Sequence, residues 1–280
     1  MGSKLRIRHE TRVGYPSPAS SSYNEVRMSP LTLPTQTVLD SRVVVSPGVP
    51  LWSYWDYWGT QVTFFDLSEP HTNLSVTATS LVETSAPEPL PVPPDRVEIA
   101  ERSADSRLTE YLAATPRTTV AAELADRARE AAAGLDAHEA AAAVTELVRE
   151  RVAYLPGSTG VYSGAQDAWD QQAGVCQDYA HLTAALLRAV GLPARYVSGY
   201  LHPHSEAPRD RSVDGESHAW VEYWAGDWIG QDPTNGTRPG ESHVVVARGR
   251  EYGDVPPHKG VYRGAAGEMP QVRVEFTRLG

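Results

Sequence analysis

Cysteine is nearly missing from this chain: Cys176 is the one example in 280 residues. An intrachain disulfide is therefore excluded, which fits a reducing compartment. Long apolar runs are missing too, and none approaches the length of a membrane span. The N-terminus, Met1-Gly2-Ser3-Lys4-Leu5-Arg6-Ile7-Arg8, carries charge but no apolar stretch of a secretory signal. Basic charge is in deficit, with 25 Lys and Arg against 35 Asp and Glu and a net charge of -10. That balance argues against a general binder of nucleic acid or anionic membrane. No cysteine cluster and no second histidine pair at ligand spacing accompanies His202-Pro203-His204, so no metal site is expected there. The expectation is a soluble cytoplasmic protein with no nucleic-acid or membrane partner.

What is present suffices for a packed core: 41% hydrophobic residues, including seven Trp and thirteen Tyr. The length suits one large domain or two ordinary ones. Residues 4 to about 84 read as strands. Leu5, Ile7 and His9 alternate with Arg6 and Arg8, and Glu25–Met28, Thr37–Val45, Gln61–Phe65 and Leu74–Val82 are further candidates. Short strands between Gly, Pro, Asn and Ser clusters suggest an antiparallel β-sandwich. The aromatic run Trp52, Tyr54, Trp55, Tyr57, Trp58 is expected to pack in the core and between domains rather than form a ligand cage. His9 and His71 stand alone and read as structural or surface residues.

Residues 85–95 hold five prolines, which makes a stiff, extended linker. The division expected is an N-terminal β-sandwich domain, 1–90, and a second domain, 91–280. Beyond the linker the pattern turns helical. A short helix is expected over Asp105–Ala114 and a longer one over Thr118–Ala133, stopped by Gly134. Asp136 and Glu139 have the spacing of a capping box, opening a helix whose apolar face is Val144, Leu147, Val148 and Val152.

Cys176 lies where the turn-like run Gln171-Gln172-Ala173-Gly174 gives way to helical periodicity. Tyr179, Leu182, Leu186 and Val190 recur at spacings of three and four, and Gly191-Leu192-Pro193 ends the helix. A lone cysteine is more often an apolar filler than a nucleophile. A thiol at a helix start, however, feels the positive end of the helix dipole and free backbone N–H groups, and both favour the thiolate.

Downstream, Ala194–Leu201 reads as a strand, as does Glu216–Trp224, with Asp227–Asp232 as the hairpin partner of the latter. If Ala225-Gly226-Asp227 is a three-residue turn, Trp224 faces Trp228 and Asp232 lies opposite Trp220. His218 is then diagonal to Asp232 on the same face, with backbones roughly 7–8 Å apart. A two- or four-residue turn would put Asp232 on the other face. With Cys176 this makes a candidate triad: the thiolate attacks, His218 moves the proton, and Asp232 orients the imidazole. The Cys176 N–H is a candidate oxyanion donor. Trp169, Gln171 and Gln172 are weak candidates for the second.

At these residues the chain resembles bacterial transglutaminase-like proteins of the papain-like superfamily. The matches are Gly174-Val175-Cys176-Gln177-Asp178-Tyr179-Ala180-His181, Ser217-His218-Ala219-Trp220-Val221-Glu222 and Asp232-Pro233-Thr234. The segments His9-Glu10-Thr11 and Asn24-Glu25-Val26-Arg27, with the tail Ala247–Pro257, look like one bacterial branch that carries an N-terminal β domain. The resemblance implies an α+β fold: an antiparallel β-sandwich, then a transglutaminase-like core with the nucleophile helix packed on an antiparallel sheet. It implies Cys176 as nucleophile, His218 as base and Asp232 as orienting acid. The activity implied is that of a cysteine peptidase, amidase or amide acyltransferase working through a thioester on a peptide or protein amide. A non-catalytic peptide-binding module on the same fold is the alternative. Animal members of the family need calcium, but no acidic loop of EF-hand type occurs here and no cofactor is expected. Arg248, Arg250 and Asp254 are expected to form structural ion pairs or, less favourably, to read substrate charge. The N-terminal domain is expected to position substrates or to mediate a homodimer.

Overall fold

The computed structural model describes residues 2–104, 107–202 and 209–279. It is an α+β structure with mostly antiparallel pairing. The first strand, β1 (Ser3–Val26), is a single long strand where the alternation suggested two. Its ladder breaks between Gly14 and Ala19, where Pro16 and Pro18 have no amide hydrogen to give. The break lets one strand serve two layers. Its first half pairs with β5 (His71–Thr84) on one side and β13 (Gln271–Leu279) on the other. Its second half pairs with β4 (Gln61–Leu67) and β12 (His258–Arg263). At the outer edges, β2 (Gln36–Ser46) pairs with β5, and β3 (Trp52–Trp55) pairs with β4. Val13, Val45, Leu74 and Val76 from one layer and Val26, Phe65 and Leu67 from the other share one buried cluster, so the two layers form a sandwich. His9 and His71 are both buried, His9 against the Tyr200 ring and His71 against Tyr15.

The linker at 85–95 has no regular structure. The Pro91 carbonyl lies 2.9 Å from Nε2 of His138, which ties the linker to the helical layer. The helices are α1 (Arg96–Ala104), α2 (Ala122–Ala131), α3 (Ala137–Arg151), α4 (Ala165–Gln171) and α5 (Cys176–Ala189). Helix α1 was not legible as a helix beside the prolines. The short helix expected over Asp105–Ala114 is a 3-10 turn at Arg107–Tyr111, and Asp105 lies outside the described residues. The capping box at α3 is present, with the Asp136 carboxylate accepting from the amides of His138 and Glu139. Gly134 adopts a φ of +75°, the left-handed turn that closes α2 off from α3.

Two short strands, β6 (Ala153–Tyr154) and β7 (Ala173–Gly174), pair in parallel. A second sheet region carries β8 (Ala194–Leu201), β9 (Ser212–Trp224), β10 (Trp228–Gln231) and β11 (His243–Gly249) in the order β11-β8-β9-β10. Helix α5 packs on β8 and β9, and α2, α3 and α4 pack around α5. Strand β9 belongs to both sheet regions: Ser212–Gly215 pair with β13, and the rest pairs with β8 and β10. Leu5, Ile7 and Val82 of the sandwich share one buried cluster with the helices and with Tyr196, Val221 and Phe276. The expected division at residue 90 follows chain order. In space, β12 and β13 cross it and complete the layers built on β1.

The aromatic run departs from expectation. Trp52 and Trp55 are 48% and 64% exposed, because β3 is an edge strand with a partner on one side only. Trp52 stacks on the exposed ring of Phe64. Only the end of the run bridges toward the helical part, through Trp58 on Tyr111 and Tyr111 on Trp228. Of the His202-Pro203-His204 segment, Pro203 and His204 lie outside the described residues. Among the described residues no helix is long and apolar enough to cross a membrane.

The shared core makes a clear prediction. A fragment of residues 91–280 should aggregate or lack a cooperative thermal transition, since β12 loses its partner strand and β13 keeps only the short pairing with β9. Circular dichroism and gel filtration of the fragment check this, and a monodisperse, cooperatively melting fragment would contradict it.

Candidate active site

The hairpin register sets the geometry. Trp228 pairs with Trp224 and Gln231 with Val221, the register that a three-residue turn at Ala225-Gly226-Asp227 demands. Gly226 takes a φ of +89°, and the Ala225 amide donates to the Asp227 carbonyl at 2.9 Å. The next residue in register, Asp232, therefore falls on the face of His218 and Trp220. Nε2 of His218 lies 2.8 Å from Oδ2 of Asp232. The Trp220 ring stacks beside His218 with centroids 6.0 Å apart.

Trp220 needs room, and Gly199 provides it. Gly199 pairs with His218 across the β8–β9 ladder. A Cβ at Gly199 would stand 2.1 Å from the Val244 carbonyl oxygen and 2.6 Å from the Trp220 ring. The absence of a side chain there lets the indole lie flat against the sheet, next to the imidazole.

Cys176 opens α5 and is partly exposed. The helix start is stapled by Asp178, whose carboxylate accepts from the Val175 amide at 2.8 Å and from the Thr159 hydroxyl. Asp178 folds back over Gly174, where a Cβ would stand 2.7 Å from the aspartate Cβ. The Cys176 side chain approaches His218 closely enough to favour the imidazolium. Since Nε2 of His218 is committed to Asp232, Nδ1 is the ring nitrogen left for the sulfur. The structure thus brings Cys176, His218 and Asp232 together.

Asp232 is fully buried and its carboxylate is saturated with donors. Oδ1 accepts from the amides of Thr234 and Asn235, at 3.0 and 3.2 Å. Oδ2 accepts from His218, from Asn235 Nδ2 at 2.8 Å, and from Nε2 of His243 at 3.0 Å. Burial alone would raise the Asp232 pKa, but these bonds and the His218 charge hold it far below the usual carboxylate range. For His218, burial disfavours the charged ring. Hydrogen bonding to Asp232 and Cys176, and their negative charge, overcome that and push its pKa up to about 10.

Two other buried histidines behave in the opposite way. Burial, helped by the charge of His258, holds His9 down to about 4. His181 is held down to about 3 by burial and by the charges of Arg117 and Arg188. Its Nε2 accepts from the Tyr252 amide at 3.0 Å, so the ring stays neutral and serves as a brace for the tail segment.

His218, Asp232 and His243 also offer three potential metal-ligating atoms within 4.8 Å of one another. Their spacing of 2.8 and 3.0 Å is that of N–H donors meeting one carboxylate oxygen, which accounts for the cluster without an ion. The candidate second oxyanion donors lie on α4 and at its end. Trp169 is packed in the helical layer with the guanidinium groups of Arg127 and Arg151 over its ring. Gln171 and Gln172 are exposed at the end of α4. Arg248 pairs with the buried Glu222 at 2.8 Å, and Arg250 pairs with Asp254 at 3.1 Å. Both arginines are thus spent in ion pairs, with Arg195 completing the first and lying over Trp228.

Sequence reasoning missed His243 and Asn235. Asn235 carried a signal, since Asp-Pro-Thr-Asn-Gly is turn chemistry in which the aspartate caps the amides that follow it. His243 carried none: it reaches Asp232 because β11 pairs with β8.

The fold and this constellation define a protein with the transglutaminase-like cysteine-enzyme fold. The chain belongs to the transglutaminase-like superfamily, which it matches over residues 122–233, and it carries the bacterial transglutaminase-like N-terminal region over residues 5–83. An uncharacterized protein of Mycobacterium leprae is 42% identical over 276 residues, 99% of each chain. The protein-glutamine gamma-glutamyltransferase of Pseudomonas aeruginosa is 34% identical over 154 residues, half of this chain and 23% of that one. Among solved structures, a candidate cysteine protease of Cytophaga hutchinsonii shares the fold with a TM-score of 0.79 and 24% identity, over 100% of this chain and 92% of that one.

Two predictions follow from this geometry. Gly199→Ala should destabilise the fold by about 1–3 kcal/mol, the usual cost of overpacking, read from the urea midpoint. Stability should also peak near pH 6.5. Below it, the unfolded chain binds protons that neutral His9 and His181 refuse until about pH 4 and 3, so stability falls with acid. Above it, the folded chain keeps a proton on His218 that the unfolded chain has lost. That contribution is complete below about pH 6.5 and disappears as pH rises through about 10. Denaturant unfolding across pH 4–10 tests this, and His218→Gln should flatten the alkaline limb alone.

Proposed function

We propose that this protein is a Cys-His-Asp enzyme that acts on amide carbonyls through a thioester acyl-enzyme. The observation that carries the reading is the partly exposed Cys176 at the start of α5 beside His218, whose far nitrogen is anchored on the buried Asp232. A cysteine serving as filler would be sealed in the core and far from a paired imidazole.

The chemistry follows from the arrangement. The His218 imidazolium already holds the thiol proton, and the Cys176 thiolate adds to the amide carbonyl. The Cys176 N–H at the helix start donates to the oxyanion. Collapse of the tetrahedral adduct breaks the C–N bond, and the imidazolium delivers its proton to the departing amine. Water or a second amine then attacks the thioester while His218 takes its proton, the C–S bond breaks to release the acyl product, and the thiolate–imidazolium pair is restored. Asp232 stays ionised throughout and fixes the tautomer that points Nδ1 at the sulfur. A water acceptor gives a peptidase or amidase, and an amine acceptor gives a transglutaminase or amide acyltransferase. The Pseudomonas aeruginosa relative supports the amine acceptor, and the shared triad serves both.

The test is the rate of Cys176 alkylation by iodoacetamide against pH. Wild type should react well below pH ~8.5, the ordinary thiol pKa, and His218→Ala should lose that low-pH limb. Cys176→Ala should take up no label. Identical profiles in wild type and His218→Ala would sink the proposal and leave a non-catalytic binding module as the better description.

A further inference from the structure

We propose that His243 is a positioning residue of the site, which shares the Asp232 carboxylate with His218 and thereby sets how strongly that carboxylate holds the imidazolium. The inference rests on the acyl-transfer reading for its consequence, although its geometry stands apart from it.

Both imidazoles use Nε2, and both reach the same oxygen, Oδ2, at 2.8 and 3.0 Å. The tautomer of His243 is fixed from its other side. Its Nδ1 accepts from the Gly240 amide at 3.3 Å, so Nε2 carries the hydrogen and donates to Asp232. The ring is immobilised by Trp220, edge to face with centroids 5.3 Å apart, and by the β11–β8 ladder. Trp220 therefore packs against both histidines.

A buried carboxylate with a single imidazole partner would direct nearly all its basicity at that partner. The result is an imidazolium too strongly held to be a good acid toward the leaving amine. A neutral second donor on the same oxygen draws off part of that basicity. It also stops the carboxylate from rotating, which would swing His218 away from Cys176, and small misplacements of that kind lower rates severely. The Asn235 side chain and the two amides on Oδ1 add to the restraint, but His243 alone comes from another strand. The charged groups beyond it are already spoken for: Glu222 is paired with Arg195 and Arg248. Arg238 lines the same groove as His243 and makes no ion pair among the described residues.

The experiment follows the imidazole nitrogens of His218 by long-range 1H–15N NMR on histidine-labelled protein, through a pH titration. The same variants are alkylated with iodoacetamide. Loss of His243 should raise the upper titration of His218 by roughly half a unit to one unit, the size of one hydrogen bond. His243→Ala removes the donor, and His243→Asn keeps a polar side chain too short to reach Oδ2, so the pair guards against a variant that fails to fold. His243→Gln, which restores an N–H at the position of Nε2, should return the titration toward wild type. Unchanged His218 titration in both His243→Ala and His243→Asn would overturn the proposal, even where His218→Ala still abolishes low-pH alkylation. If His218→Ala leaves alkylation unchanged, the acyl-transfer reading fails, while the NMR titration still decides what His243 does to His218.

Discussion

The site depends on the pairing of one strand. Strand β9 is gripped by β13 at its start, by β8 along its length and by β10 at its end. That places His218 at a register position it cannot leave without breaking three ladders. The hairpin then brings Asp232 beside it, and α5, packed on β8 and β9, presents Cys176 to the imidazole. The N-terminal sandwich contributes to the same constraint. It supplies β1, which holds β13, which holds β9. The sandwich is thus structurally continuous with the site although it contributes none of the three residues.

Burial has opposite effects on ionisable groups around this frame, and the sign depends on the partners. His218 is buried beside a carboxylate and is held charged; His9 and His181 are buried among neutral or cationic groups and are held neutral. Glu222 and Asp232 are both buried acids held ionised, the first by two guanidinium groups, the second by five hydrogen bonds. Arg188 shows a third solution. It is buried without a carboxylate and donates instead to the carbonyls of Ala113, Ala194 and Arg250, which ties α5, β8 and the tail together.

The legible parts of the sequence were those written in local periodicity. The helix at Cys176, the strand at 194–201, the capping box at Asp136 and the three-residue turn all depend on neighbours within a few residues, and all are present. The parts read wrongly needed the partner strand. The edge position of β3 exposed aromatic rings that hydrophobicity alone would have buried. The long β1 looked like two strands because its prolines mark a bend rather than an end. The pairing of β12 and β13 with β1 spans more than two hundred residues of chain and leaves no periodic trace.

By itself the sequence determined the chemistry on offer, one thiol at a helix start and a histidine and an aspartate on the two arms of a hairpin, because α and β periods are local properties of the backbone; which face the aspartate takes waited on the turn's length. The tertiary structure alone decided that the thiol meets the histidine and that a second histidine shares the aspartate. Those meetings are made by strands and a helix far apart in the chain, and their positions are selected by the packing of a common core rather than by any residue's neighbours in sequence.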